Sequence, residues 1–281
     1  MRVIRSIRSL KVSRRKSANQ TIGFVPTMGA LHEGHLSLIR LARKQCSLVV
    51  VSIFVNPMQF SPSEDLSRYP RPIRRDEQLC KDAGVDLLFW PAGEELYPEG
   101  FQTSVKVNGL SLRWEGEARP THFEGVSTVV TKLLNLVRPY RAYFGQKDYQ
   151  QWLVLKQLVQ DLNMDTKIIR CPTIREFDGL AISSRNRYLS AHQRTQAIGL
   201  SVALREGVQA IKQGETNVRM IHNAMQKIIK KFSGVKVEYL TVCDAKTLEP
   251  LKKVKEQVVL LGAIRIEKIR LIDNMLARKA L

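Results

Sequence analysis

The sequence predicts an α/β protein, a doubly wound parallel sheet followed by a smaller mixed α/β domain. Three observations carry this. Strand-like and helix-like stretches alternate over residues 21–170, the pattern of βαβ units in a parallel sheet. The run LVVVSIFV at 48–55 is apolar without alternation, as suits a strand covered on both faces. After about residue 174 the alternation gives way to a largely helical stretch at 190–232 and then to strand-like segments.

The elements follow in order. Val3, Ile4, Ile7 and Leu10 fit one face of a helix. Residues 1–16 are therefore expected to open the fold as an amphipathic helix rather than to act as a targeting segment, although they are basic, serine-rich and free of acids. Residues 21–26 read as a strand and 35–44 as a helix. A helix over 64–83 is broken near Pro70 and Pro72. Residues 85–90 are a strand, 126–137 a helix stopped by Arg138 and Pro139, 141–145 a strand, 151–162 a helix and 167–170 a strand. Residues 235–242 and 257–272 read as strands of a small antiparallel sheet. The domain boundary is expected near residue 174, giving domains 1–174 and 175–281.

Composition sets bounds on function. With 44% hydrophobic and 25% charged residues the chain matches soluble globular proteins. No apolar run approaches the roughly 18 residues that span a bilayer, so no membrane partner is expected. Cys46, Cys80, Cys171 and Cys243 are far apart and form no CxxC pair. They have neither zinc nor iron–sulfur spacing, and read as reduced thiols of a cytoplasmic protein. The net charge is +19, of which +7 falls in residues 1–20 and +8 in 205–281, leaving +4 for the middle. The excess lies mostly outside the motif-bearing segment and reads as solvated surface. Nucleic acid is not an expected partner.

Four motifs stand out, and the first three directly follow predicted strands, where open parallel sheets bind ligands. PTMGALHEGH at 26–35 opens a helix, whose N-terminal N–H groups favour phosphate. His32 and His35 are three apart and can donate to phosphate oxygens, and Gly34 between them adds no side chain. The spacing is not the HExxH of zinc proteases, and the residue after Gly34 is His rather than the P-loop Lys. SIFVNPMQF at 52–60 offers Asn56 and Gln59, neutral hydrogen-bonding groups in an apolar setting that suits a small polar ligand. YFGQKDYQQ at 143–151 offers Lys147 to balance phosphoryl charge, with Asp148 able to position it. DGLAISSRN at 178–186 presents Ser183, Ser184 and Arg185, a set fitted to triphosphate oxygens.

Taken together and in this order, residues 23–39, 54–60, 64–71, 119–139, 144–151 and 178–189 resemble the pantothenate synthetases, the pantoate–β-alanine ligases. The resemblance runs from about residue 21 to 190 and more loosely to the end. It implies a Rossmann-like nucleotidyl-transferase domain of the class I aminoacyl-tRNA synthetase type, with the C-terminal domain as lid, usually in a homodimer. It implies that pantoate attacks Mg-ATP to form pantoyl-adenylate and that β-alanine then displaces AMP. His32, His35, Lys147, Ser183, Ser184 and Arg185 would hold the ATP phosphates. Met28, Gly34, Gly145 and Asp148 would belong to the nucleotide site. Gln59 and Gln151 would hold pantoate, with Asn56 beside them. Magnesium would ride mainly on the phosphates, with Asp76 a partner through water. A carboxylate is ionised at neutral pH, so the first step needs positioning and charge neutralisation rather than a base. The motifs supply groups of that kind.

Two residues depart from the family pattern: Thr121 stands where glycine is usual, and Ile182 where methionine is usual. The first would alter the loop near the site through its added bulk, or if the loop needs a positive φ; the second conserves volume. A different adenylate-forming enzyme on the same fold is disfavoured by the Gln59 and Gln151 pair. A nucleic-acid binder that has lost catalysis is disfavoured by the intact His32, His35, Lys147 and Arg185.

Overall fold

The computed structural model describes residues 1–62, 64 and 66–279. Asp65, within the 64–71 motif, and the last two residues of the expected second domain lie outside the described residues. The chain divides into two compact units, one of Met1–Gly145 with Gln150–Pro172, the other of Gln146–Tyr149 with Thr173–Leu281.

The first unit is built on six parallel strands. They are β1 (Arg2–Ile4), β2 (Ile22–Thr27), β3 (Leu48–Ile53), β4 (Leu87–Phe89), β5 (Arg141–Gly145) and β6 (Lys167–Cys171), in the order β1-β4-β3-β2-β5-β6. Helices α1 (Ile7–Lys16), α2 (Glu33–Gln45), α3 (Ile73–Asp82), α6 (His122–Val137) and α7 (Tyr149–Asp161) connect them, with two four-residue turns of helix, α4 (Gly93–Leu96) and α5 (Glu115–Ala118).

Alternate strand residues feed two cores. Phe24, Val50, Phe89 and Ala142 pack with Leu10 of α1, Val126 and Val130 of α6 and Val154 of α7. Val25, Val49, Val51, Leu88 and Tyr143 pack with Leu38, Ile39 and Ala42 of α2 and Cys80 of α3. The sheet is thus covered on both faces, which explains why β3 is buried at every position. From β2 the chain winds to β3 and β4 on one side and then returns to place β5 on the other. This Rossmann-like reversal is the switch point at which such sheets bind ligands.

The N-terminus differs from the expectation. Val3 and Ile4 belong to a strand, with Arg2–Ile4 pairing in parallel with Leu87–Phe89. The helix starts only after Ser6, whose hydroxyl caps it by accepting from Ser9 N–H at 3.2 Å. The 64–83 helix is likewise reduced to a 3₁₀ turn at Leu66–Arg68 and α3, which begins directly after Pro72.

In the second unit α8 (Ala191–Lys212) and α9 (Val218–Ile229) pack on an antiparallel sheet of β7 (Val235–Asp244), β8 (Gln257–Ile266) and β9 (Ile269–Arg278). The stretch expected as strand over 257–272 is a hairpin turning at Glu267, where φ is 49°. Its second arm continues to Arg278.

Candidate active site

The loops leaving β2 and β3 start side by side because these strands pair in register to their last residues, Thr27 against Ile53. After β2 the backbone turns through two left-handed residues, Gly29 at φ 83° and Ala30 at φ 51°. The turn is held from below. Thr27 Oγ1 donates to Ser52 O at 2.8 Å and accepts from Gly29 N–H at 3.2 Å. Asp76 of α3, only 1% exposed, accepts from Ala30 N–H at 2.7 Å and Leu31 N–H at 2.8 Å. This is a different task from the water-mediated magnesium contact expected of Asp76.

The turn delivers His32 as the extended residue before α2. The His32 and His35 rings lie 4.1 Å apart. His35 Nδ1 accepts from His32 N–H at 3.4 Å, so the neutral ring carries its proton on Nε2, where it can donate to an anion. A Cβ on Gly34 would stand 2.9 Å from His32 Cε1, so the missing side chain makes room for the His32 ring itself.

Beside this loop, Asn56 Nδ2 donates to Gln59 Oε1 at 3.1 Å and to Gly125 O at 3.0 Å, and Tyr97 OH donates to Asn56 Oδ1 at 2.9 Å. Gln59 Nε2 reaches Met28 Sδ at 3.2 Å. The expected nucleotide loop and the expected pantoate residue therefore touch. Close approach of α6 makes this possible: a Cβ on Gly125 would lie 2.4 Å from the Met58 carbonyl.

The backbone of Gln59 is clamped as well. Its carbonyl accepts from His122 Nδ1 at 3.1 Å and Arg119 Nη2 at 3.2 Å. Arg119 can only donate, so its 3.2 Å contact with His122 Nε2 makes that nitrogen the acceptor and Nδ1 the protonated donor. Glu64 takes Arg119 Nε at 2.5 Å and Nη2 at 3.1 Å. Burial, then the Arg119 charge, lowers the His122 pKa to about 4, so the ring is neutral. Thr121 sits at φ −94°, exposed, before α6. No positive φ is required there, and the departure from glycine carries no strain.

Gly145 ends β5. Gln151 is half-buried at the start of α7, while its neighbour Gln150 is buried and ties down the 110–115 turn through Leu110 O, Arg113 O and Glu115 N–H.

Lys147, Asp148, Ser183, Ser184 and Arg185 belong to the second unit. Lys147 Nζ lies 3.4 Å from Asp148 Oδ1. The segment is anchored by Asn274 of β9, whose Nδ2 donates to Gln146 O and Lys147 O, both at 2.8 Å. Adjacent Asp273 takes a bidentate pair from Arg175 at 2.6 and 2.9 Å. Ser183 Oγ accepts from Arg185 N–H at 3.3 Å and starts the 3₁₀ turn Ser184–Tyr188. Arg194 of α8 holds the preceding turn through Glu176 at 2.8 Å and Asp178 at 2.6 Å. Ile182, half-buried, donates its N–H to Ile174 O at 3.0 Å.

The family described as pantoate-beta-alanine ligase matches residues 2–276. The chain belongs to that family. A pantothenate synthetase from Moorella thermoacetica is 50% identical over 98% of both chains, and one from Thermotoga petrophila 49% identical over 98% and 99%. Among solved structures, pantothenate synthetase from Thermus thermophilus superposes with a TM-score of 0.94 at 45% identity over 98% of this chain and 99% of that one. Pantoate-beta-alanine ligase from Francisella tularensis, complexed with beta-gamma ATP and beta-alanine, gives 0.82 at 37% identity over 98% and 97%. The chain is a ligase that joins pantoate to β-alanine to form pantothenate. Among its described residues no helix is long and apolar enough to cross a membrane.

The sequence blocks of the pantoate–β-alanine ligases pointed to the side chains expected to meet ligands but not to those that brace them. Tyr97, Asn274 and the Glu64–Arg119–His122 group were not assigned. Arg119 and His122 stand inside the 119–139 block of the family pattern. Asn274 sits in an unremarkable strand with no local signal.

Proposed function

We propose that this ligase works through pantoyl-adenylate, with His32, His35, Lys147, Ser183, Ser184 and Arg185 on the ATP phosphates. Met28, Gly34, Gly145 and Asp148 complete the nucleotide site, and Gln59 and Gln151 hold pantoate, with Asn56 beside them in the pantoate site. In this reading residues 1–174 form the catalytic domain and 175–281 the lid that brings the Ser-Ser-Arg loop. The observation that carries it is the 3.2 Å contact between Gln59 Nε2 and Met28 Sδ. It sets a donor for pantoate against the loop that leads into the α2 N-terminus, and such proximity is what an in-line transfer needs.

In the first step a carboxylate oxygen of pantoate bonds to the α-phosphorus as the bond to the bridging oxygen breaks and pyrophosphate leaves. The His32 and His35 N–H groups and the positive end of α2 offset the charge that builds on the phosphates. In the second step the β-alanine amine bonds to the acyl carbon, AMP departs with that oxygen, and the nitrogen gives up its proton.

Magnesium is proposed to arrive on the ATP phosphates, where it supplies further positive charge. Among the described residues no three His, Cys, Asp or Glu stand close enough to hold an ion. The Asp76 oxygens serve the Ala30 and Leu31 N–H groups, which fits a loop clamp better than a magnesium ligand.

We place the enzyme in the cytoplasm as a homodimer. Its four cysteines are buried, and burial pushes Cys80 and Cys171 up to about 12, as suits inert thiols. Pantoate labelled with ¹⁸O in its carboxylate tests the course of the reaction. One label must appear in AMP; unlabelled AMP would exclude the acyl-adenylate.

A further inference from the structure

Asn56 is the middle of a chain of hydrogen bonds whose direction is fixed at one end. A backbone carbonyl only accepts, so the 3.0 Å contact with Gly125 O identifies Asn56 Nδ2 as the donor. Oδ1 then faces Tyr97, whose hydroxyl must donate to it at 2.9 Å. The other Asn56 N–H goes to Gln59 Oε1 at 3.1 Å. The Gln59 oxygen is thus engaged as an acceptor, and its Nε2 is turned the other way, to within 3.2 Å of Met28 Sδ. Asn56 is 1% and Gln59 8% exposed, so a reversed amide in this chain would leave buried groups unmatched. Burial holds the Tyr97 phenol well above its usual range, which keeps it a donor. The ring is fixed by Phe54 and Phe101, at centroid distances of 5.9 and 5.0 Å.

We propose that Tyr97 is a positioning residue which, through Asn56, commits Gln59 to present only N–H donors to pantoate. The site then selects an oxygen that accepts at this position and discriminates against a ligand that presents a donor there. The proposal rests on the reading of Gln59 as a pantoate contact. Removing the Tyr97 hydroxyl leaves Asn56 Oδ1 buried without its donor. The Asn56 amide rotates to find one, and Gln59 loses its fixed polarity.

The test is steady-state kinetics on Tyr97→Phe, Gln59→Ala and the double variant, each checked for folding by thermal melting. Tyr97→Phe is expected to raise the KM for pantoate about fivefold, the effect of one buried hydrogen bond, while the KM for ATP moves less than about twofold. In the Gln59→Ala background the same change is expected to have no further effect on pantoate, because the group it orients is gone. Equal effects in both backgrounds would overturn the proposal, as would an unchanged KM for pantoate in Tyr97→Phe when Gln59→Ala raises it. If Gln59→Ala itself leaves the KM for pantoate unchanged, the pantoate assignment fails and takes the proposal with it. Asn56→Asp is a second probe should Tyr97→Phe not fold. It keeps an acceptor for Tyr97 but loses the donor to Gln59, so pantoate binding must still weaken; unweakened binding would overturn the relay.

Discussion

The carboxylate of Asp76 accepts the backbone N–H of Ala30 at 2.7 Å, and Ala30 is held at φ 51° with Gly29 before it at 83°. A left-handed alanine costs about 1–2 kcal/mol, and hydrogen bonds to a charged acceptor return about 1.5–3 kcal/mol each. The buried acid thus offsets the strain of the turn into His32. Asp76→Ala is expected to destabilise the protein by about 2–4 kcal/mol in urea unfolding, since two buried N–H groups lose their acceptor. Pantoate-dependent pyrophosphate release should fall with it. A variant of normal stability and full activity would contradict the clamp.

His122 makes stability depend on pH in a defined window. Its pKa is 6.5 when exposed and about 4 in the fold. Between these values the unfolded chain binds a proton that the folded chain does not. The contribution is complete above pH 6.5, drains away as pH falls toward 4 and is constant below. Its ceiling is about 3 kcal/mol. Urea midpoints measured from pH 4 to 7 should show this slope in the natural chain and a shallower one in His122→Gln. Equal slopes would mean that His122 titrates alike in the folded and unfolded chain, against a lowered pKa in the fold.

Asn274 should matter for activity more than its place in β9 suggests. Its amide holds the carbonyls of Gln146 and Lys147 at 2.8 Å. Asn274→Ala removes both bonds, at a cost of about 1–3 kcal/mol. If Lys147 neutralises phosphate charge, kcat for adenylation should fall about tenfold or more with a small rise in the KM for pantoate. Unchanged kcat would detach the 146–148 turn from the chemistry.

The doubly wound sheet was legible because βαβ alternation and the unalternating 48–55 run are local signals that tertiary packing reinforces. The expected site loops at 26–35, 52–60 and 143–151 were read from a related signal: they follow strands, the ends at which open parallel sheets bind ligands. Three-residue β1 was not, because Arg2, Val3 and Ile4 are too few to display a period of two. They read instead as the first turn of the helix beside them. Nor was the support of the site legible. Tyr97 meets Asn56 across 41 positions, Asp76 meets Ala30 across 46 and Asn274 meets Lys147 across 127. Such pairings depend on register and helix packing, which no short window contains. Thr121 shows the converse: its place in the usual position of a glycine raised the question of a positive φ, and at φ −94° the backbone makes no such demand.

His35 carries the sharpest mutational expectation in the first unit. Its Nε2–H is set by the acceptor role of Nδ1 toward His32 N–H. His35→Ala should slow adenylation by roughly two to three powers of ten, as loss of a preorganised donor does elsewhere. Single-turnover pyrophosphate release reads this directly. A rate like that of the natural chain would remove His35 from the phosphate site.

An enzyme that activates pantoate before it meets β-alanine must release pyrophosphate without the amine. The most direct measurement is a burst of pyrophosphate from Mg-ATP and pantoate in the absence of β-alanine, followed by addition of the amine. The expected result is a burst stoichiometric with enzyme and dependent on pantoate, with AMP and pantothenate appearing together only once β-alanine is present. Pyrophosphate release that requires β-alanine from the outset would contradict it.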